Sequence, residues 1–209
     1  MSYTEKLESF NKRGDYRKEC DKLLDFMRST INGPVLDIGC GLGGMINALR
    51  ENGVNVYGVD SVRQHLSRLE YDKTVQACGE TLPFKDHSFS SVYYMHSFAH
   101  IGNVDHTIQE TRRVLTKDGT LFIVTPNSQF ETLVRPAKTL LEKTGRFVSD
   151  KTVTRHYSLK ELSGILSEQF NVIHVSTFGK FGFQRIISVA KPKAFYNHKP
   201  TPGLSKYSV

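Results

Sequence analysis

The chain has 209 residues, 38% of them apolar, enough for one core and one domain but not for two large ones. Its first sixteen residues, MSYTEKLESFNKRGDY, hold no apolar run, and the longest aliphatic stretch near a strand is Leu121 to Val124; neither a signal peptide nor a membrane span is expected, and a soluble, cytoplasmic protein is. The net charge of +7 is unevenly spread: +1 over residues 1–34, −2 over 35–127 and +8 over 128–209, where thirteen Lys/Arg face five Asp/Glu.

In chain order, Cys20, Leu23, Leu24, Met27 and Ile31 recur at helical spacing and predict a helix over 17–31, stopped by Gly33-Pro34. Val35 to Ile38 is a short strand that runs into a glycine-rich turn. A helix from Met45 to Asn52 follows, then a strand from Val54 to Val59 closed by Asp60, a helical stretch over 62–70 and a strand from Thr74 to Ala77. After a loop at 83–90, Ser91 to Met95 reads as a fourth strand, Val104 to Leu115 as a helix, 117–119 as a turn and Thr120 to Thr125 as a fifth strand. Residues 128–157 break the rhythm with a helical piece, Pro136 to Lys143, and a polar loop. A helix from Leu159 to Glu168 capped by Ser158 and strands at 171–177 and 185–190 complete the pattern. Strand–helix alternation of this kind predicts an α/β domain with a mainly parallel sheet and helices on both faces. The expected organisation is one domain over 1–190, with an N-terminal helical segment at 1–34 and a lid-like insertion at 128–157, followed by a basic tail at 191–209 without regular structure.

The segment that carries chemistry is VLDIGCGLGG, Val35 to Gly44. Glycines at 39, 41, 43 and 44 allow a tight turn and let a ligand approach main chain at a helix N-terminus. Gly39, Gly41 and Gly44 also satisfy GxGxxG, so a nicotinamide or flavin cofactor has to be weighed. Asp37 argues against it: a carboxylate two residues before the first glycine repels a pyrophosphate and suits a cationic group. Asp60, nineteen positions after Gly41, stands where a carboxylate accepts from ribose hydroxyls, and fits either cofactor. Cys20, Cys40 and Cys78 have no metal-ligand spacing, so no metal is expected.

VLDIGCGLGG resembles the first motif of class I S-adenosylmethionine-dependent methyltransferases. The likeness continues through GVD ending at Asp60, GETLPFKDHSF (79–89), VYYMHSFAHI (92–101), RRVLTKDGTLFIVTPN (112–127) and HYSLKEL (156–162), segments similar to the methyltransferase type 11 small-molecule group. The resemblance covers about residues 30–190. It implies a Rossmann-like, doubly wound, seven-stranded sheet with its last strand antiparallel and S-adenosyl-L-methionine across the C-terminal strand ends. By position, Asp37, Gly39, Gly41 and Gly43 would meet the methionine part, Asp60 the ribose, Ser61 and Val62 the adenine, Gly79 and Glu80 its other edge, and Met95 the methionine end. Many relatives have an aspartate where this chain has Cys78, which removes one adenine contact.

His96 and His100 follow the fourth strand and are the candidate general bases; each equally suits a structural role in the turn. The expected function is methyl transfer to oxygen or nitrogen of a small molecule, and the basic insertion, with Arg135, Lys138, Arg146 and Arg155, favours an acceptor carrying a carboxylate or phosphate. Methylation of RNA or protein and a non-catalytic cofactor-binding role stay open. Tyr94-Met95-His96-Ser97 lacks the Asn/Asp-Pro-Pro-aromatic motif of nucleobase-amine methylation, which tells against a nucleic-acid partner.

Overall fold

The computed structural model describes residues 14–144, 155–178 and 185–193. Residues 1–13, the polar part of the insertion at 145–154, residues 179–184 and the tail from 194 lie outside these. The elements are α1 (Gly14–Met27), β1 (Val35–Ile38), α2 (Gly44–Glu51), β2 (Val56–Asp60), α3 (Arg63–Leu66), β3 (Thr74–Gln76), β4 (Phe89–Met95), a 3-10 turn (Phe98–His100), α4 (Val104–Val114), β5 (Leu115–Pro126), α5 (Ser128–Lys143), α6 (Leu159–Ser167), β6 (Phe170–Phe178) and β7 (Arg185–Pro192).

The seven strands lie in the order β3-β2-β1-β4-β5-β7-β6. The first five are parallel, and β7 runs antiparallel to both β5 and β6. Strand order reverses beside β1, so the crevice of a doubly wound sheet opens at the C-terminal ends of β1 and β4. All four residues of β1 and all seven of β4 are buried, as expected of strands covered on both faces. One face packs Leu36, Ile38, Phe98, Ile108, Leu162 and Leu166 into a core under α4 and α6; the other packs Val35, Met45, Ile46, Leu49 and Tyr93 under α1 and α2. Arg113 of α4 fixes the segment before β4, donating to the carbonyls of Leu82 and Phe84 while pairing with Glu110 and Asp86.

Several boundaries differ from the sequence reading, each for a local reason. The helix expected over 62–70 stops at Leu66, where Arg68 and Leu69 turn back onto the carbonyls of His65 and Leu66. The first helix ends at Met27, not Ile31, with Thr30 folding its hydroxyl onto the Met27 carbonyl. The turn at 117–119 sits within β5: Phe89 pairs with Leu115 and Ser91 with Thr120, so four residues bulge out of the ladder. The helix expected to begin at Pro136 begins at Ser128 and carries Pro136 inside it, because the Asn127 side chain accepts from the Gln129 amide and starts the helix directly after β5. Ser158 caps α6 in a reciprocal pair with Glu161, as its spacing predicts.

Candidate active site

Asp37 lies within β1, one residue before its C-terminal end, and is 1% exposed. Its Oδ1 has no hydrogen-bond partner. Burial pushes the Asp37 carboxyl well above the usual carboxylate range; the Tyr93 hydroxyl pulls it partly back and the charge of Asp60 adds to the rise.

The loop after it is made from glycines in the left-handed region, with φ 75° at Gly39, 53° at Gly41 and 74° at Gly43. Gly39 is fixed twice over. A Cβ on it would lie 2.4 Å from Ser97 Cβ, so the residue must be glycine for space as well as for φ. Ser97 in turn donates its hydroxyl to the Ile38 carbonyl, tying the end of β4 to the end of β1. The amides of Gly39 and Cys40 donate to the Val59 carbonyl at 2.8 and 3.0 Å, which bends the loop over β2.

Asp60 has a different set of partners from the one its position suggested. Its Oδ2 accepts from the Gly41 amide at 2.8 Å, and its Oδ1 accepts from the Val62 amide at 2.8 Å and faces His65 Nδ1 at 3.1 Å. The carboxylate therefore clasps the glycine loop to the turn after β2, and one lone pair of Oδ2 is left for a ligand hydroxyl. His65, 2% exposed, was invisible in the sequence: a lone polar residue in a four-residue helix gives no periodic signal. It is a positioning residue for Asp60. Asp60→Ala should weaken cofactor binding by about 1.5–3 kcal/mol, the scale of hydrogen bonds to a charged acceptor. His65→Ala should cost less, and the double variant should be non-additive by about 0.5–3 kcal/mol because both act through one carboxylate. Calorimetric affinities of the four proteins measure this; strict additivity would show that His65 does not act through Asp60.

The remaining candidates fall around this loop to different degrees. Gly79 stands beside β1, where a Cβ would lie 3.5 Å from Ile38 Cγ2. Glu80 accepts from the Asn103 amide at 3.2 Å, and Ser61 is exposed with its carbonyl held by Gln76. Met95 is buried and packs in the same cluster as Cys40 and Met45, so it shapes the floor of the crevice from the core side. His96 has φ 63°, a conformation costing about 1–3 kcal/mol in a non-glycine residue, held by its amide on the Val124 carbonyl. His100 closes the 3-10 turn, with its amide on Ser97. Cys78 is exposed. Among the described residues no group of three or more His, Cys, Asp or Glu is placed to hold a metal.

The insertion leaves and re-enters the fold at one point. Asn127 pairs with Tyr157, the Ser128 amide donates to the Tyr157 carbonyl at 2.9 Å, and the Arg155 amide donates to the Ala99 carbonyl at 3.2 Å. Tyr157 is buried, its ring 5.3 Å from that of Phe98, and anchors the return beside the His100 turn.

A family model described as a methyltransferase domain matches residues 36–123. The chain is 32% identical over 99 residues to a sterol 4-C-methyltransferase of Caenorhabditis elegans, covering 43% of this chain and 29% of that protein. It is 30% identical over 109 residues to a ubiquinone biosynthesis O-methyltransferase of Pelagibacter ubique, covering 48% of this chain and 45% of the relative. The chain thus spans less than half the length of these curated relatives. Among solved structures, it is similar to an S-adenosylmethionine-dependent methyltransferase of Archaeoglobus fulgidus (TM-score 0.72, 16% identity, 91% of this chain and 100% of the other). A second, from Aquifex aeolicus, gives a TM-score of 0.70 at 16% identity over 92% and 100% of the two chains. At these identities the structures speak for the fold.

Proposed function

We propose that the chain transfers a methyl group from S-adenosyl-L-methionine to the oxygen or nitrogen of a small molecule, a reading supported by the methyltransferase-domain model that matches residues 36–123. The observation that carries the reading is the buried Asp37 carboxylate with its unpartnered Oδ1, set beside a loop whose three glycines all have positive φ. The cofactor fits this donor set: Asp37 takes the ammonium group, the loop leaves room for main chain to approach the methionine part, and Asp60 offers one acceptor position to a ribose hydroxyl. Gly79 and Glu80 border the adenine, with Cys78 unable to supply a carboxylate there. A pyrophosphate in place of the ammonium would meet a buried negative charge.

When bound, the cofactor supplies an electrophilic methyl group on a sulfonium, which needs neither a metal nor a strong acid. What the chain must add is alignment and exclusion of water. His100, at the turn beside the anchored return of the insertion, is the candidate to take the acceptor's proton, and His96 holds the backbone turn after β4. The relatives named as a sterol 4-C-methyltransferase and a ubiquinone biosynthesis O-methyltransferase support a small-molecule acceptor over a macromolecular one. Residues 128–157, basic and pinned at both ends on the strand-end rim, are the cover of the acceptor pocket.

The test is turnover: wild-type protein incubated with S-adenosylmethionine and a panel of hydroxylated and amino-bearing metabolites, with S-adenosylhomocysteine as the readout. Acceptor-dependent product is expected for a small molecule. Product formed only with RNA or with folded protein would overturn the small-molecule reading.

A further inference from the structure

Helix α5 carries an apolar face that nothing among the described residues covers. Leu133, Pro136, Ala137 and Leu140 stand at i, i+3, i+4 and i+7 and share one side of the helix. All four are exposed, Leu133 by 73% and Leu140 by 64%. On a surface helix of a globular domain this stripe faces the core; here it faces outward. The adjoining arc holds Thr132, Thr139 and Lys143, with Arg135 further round the helix, all exposed. The helix has 16 residues, about 24 Å at 1.5 Å per residue, and carries charges along its length, so it suits lying in an interface and not crossing one. In agreement, no described helix is long and apolar enough to cross a membrane.

We propose that α5 is an interfacial helix that seats its Leu133–Leu140 face on an anionic lipid bilayer, with Lys143 at the level of the headgroups. Charge selects the occupant. Residues 128–209 bring thirteen Lys/Arg against five Asp/Glu, whereas the rest of the chain sums to about zero; a surface of acidic headgroups complements that half. A second copy of the chain suits it less, since it would bring together two proteins of net charge +7. Position gives the docking a consequence. α5 starts at Ser128, directly after β5 ends at Pro126 on the strand-end rim, so a docked helix turns the mouth of the crevice toward the bilayer. The docking itself does not depend on the methyl-transfer reading, because it is measured without turnover.

The experiment is co-sedimentation of the full chain with vesicles of phosphatidylcholine alone and of phosphatidylcholine mixed with phosphatidylserine, for the wild type and a Leu133→Glu/Leu140→Glu variant. Both positions are exposed, so the variant should keep its melting temperature and its affinity for S-adenosylhomocysteine, which serve as the folding control. The expected result is binding to the anionic vesicles, weakened by salt, and a drop of about tenfold or more in partitioning for the variant. Failure of the wild type to bind anionic vesicles, or equal binding by the folded variant, overturns the proposal. So does a wild-type dimer in light scattering that the variant loses, which would assign the face to a second copy.

Discussion

Asp37→Asn should raise or leave unchanged the melting temperature of the ligand-free protein while nearly abolishing cofactor binding. The two effects have opposite signs for one physical reason. In the free protein the carboxylate is buried, close to Asp60, with an unpartnered oxygen, so its ionisation is a cost. Asparagine keeps the shape and can still accept from Tyr93, and it removes that cost. With the cofactor bound as proposed, the same charge would face an ammonium group, and replacing it would break a buried pair, an effect of about 3–5 kcal/mol or more than a hundredfold in affinity. The pH dependence follows from the sign of the shift. A carboxyl whose folded pKa is raised loses stability for the fold as pH climbs from its unfolded value, near ~3.9, through its folded value. Cofactor affinity needs the carboxylate and should rise over that same interval. Asp37→Asn should flatten both slopes. A variant that binds S-adenosylhomocysteine as tightly as wild type removes Asp37 from the site. An Asp37→Ala comparison separates loss of charge from loss of packing.

Replacing residues 130–154 with a short Gly/Ser linker should leave cofactor affinity within a few-fold of wild type and remove methyl transfer. The ends of the segment are held by the Asn127–Tyr157 pairing and by the Arg155–Ala99 hydrogen bond, so the linker spans two points that are already adjacent. Asp37, Asp60, His65 and the glycine loop lie on other elements and are untouched. On the proposed lid role, the cover over the rim is lost, and with it exclusion of water and placement of the acceptor, worth several orders of magnitude in rate when a reacting group is no longer held. Cofactor affinity by calorimetry and turnover with an acceptor found in the metabolite screen measure the two effects separately. Unchanged turnover would reduce the excursion to a solvated appendage.

What was legible in the sequence was what is local. The strand–glycine–helix unit from Val35 to Glu51 is written in consecutive residues, and the glycines expected to allow a tight turn include those with positive φ at 39, 41 and 43. The antiparallel last strand, which lies between β5 and β6, came from resemblance, since nothing in the residues of 170–192 fixes strand direction. The partners of Asp60 were not legible: the Gly41 amide nineteen residues before it and His65 five residues after it meet only once β2 lies against β1. Ser97 went unremarked because its importance lies in being small enough to sit against Gly39 across two strands. The start of α5 was misplaced because proline favours the first helical turn; the Asn127-Ser128 pair that caps it was the better signal.

The most direct test of the account is a calorimetric titration of the wild-type chain with S-adenosylmethionine, S-adenosylhomocysteine and NAD in parallel. The account predicts saturable one-to-one binding of the first two and negligible heat with the dinucleotide, because Asp37 receives an ammonium and repels a pyrophosphate. Saturable NAD binding with no response to S-adenosylhomocysteine would contradict it.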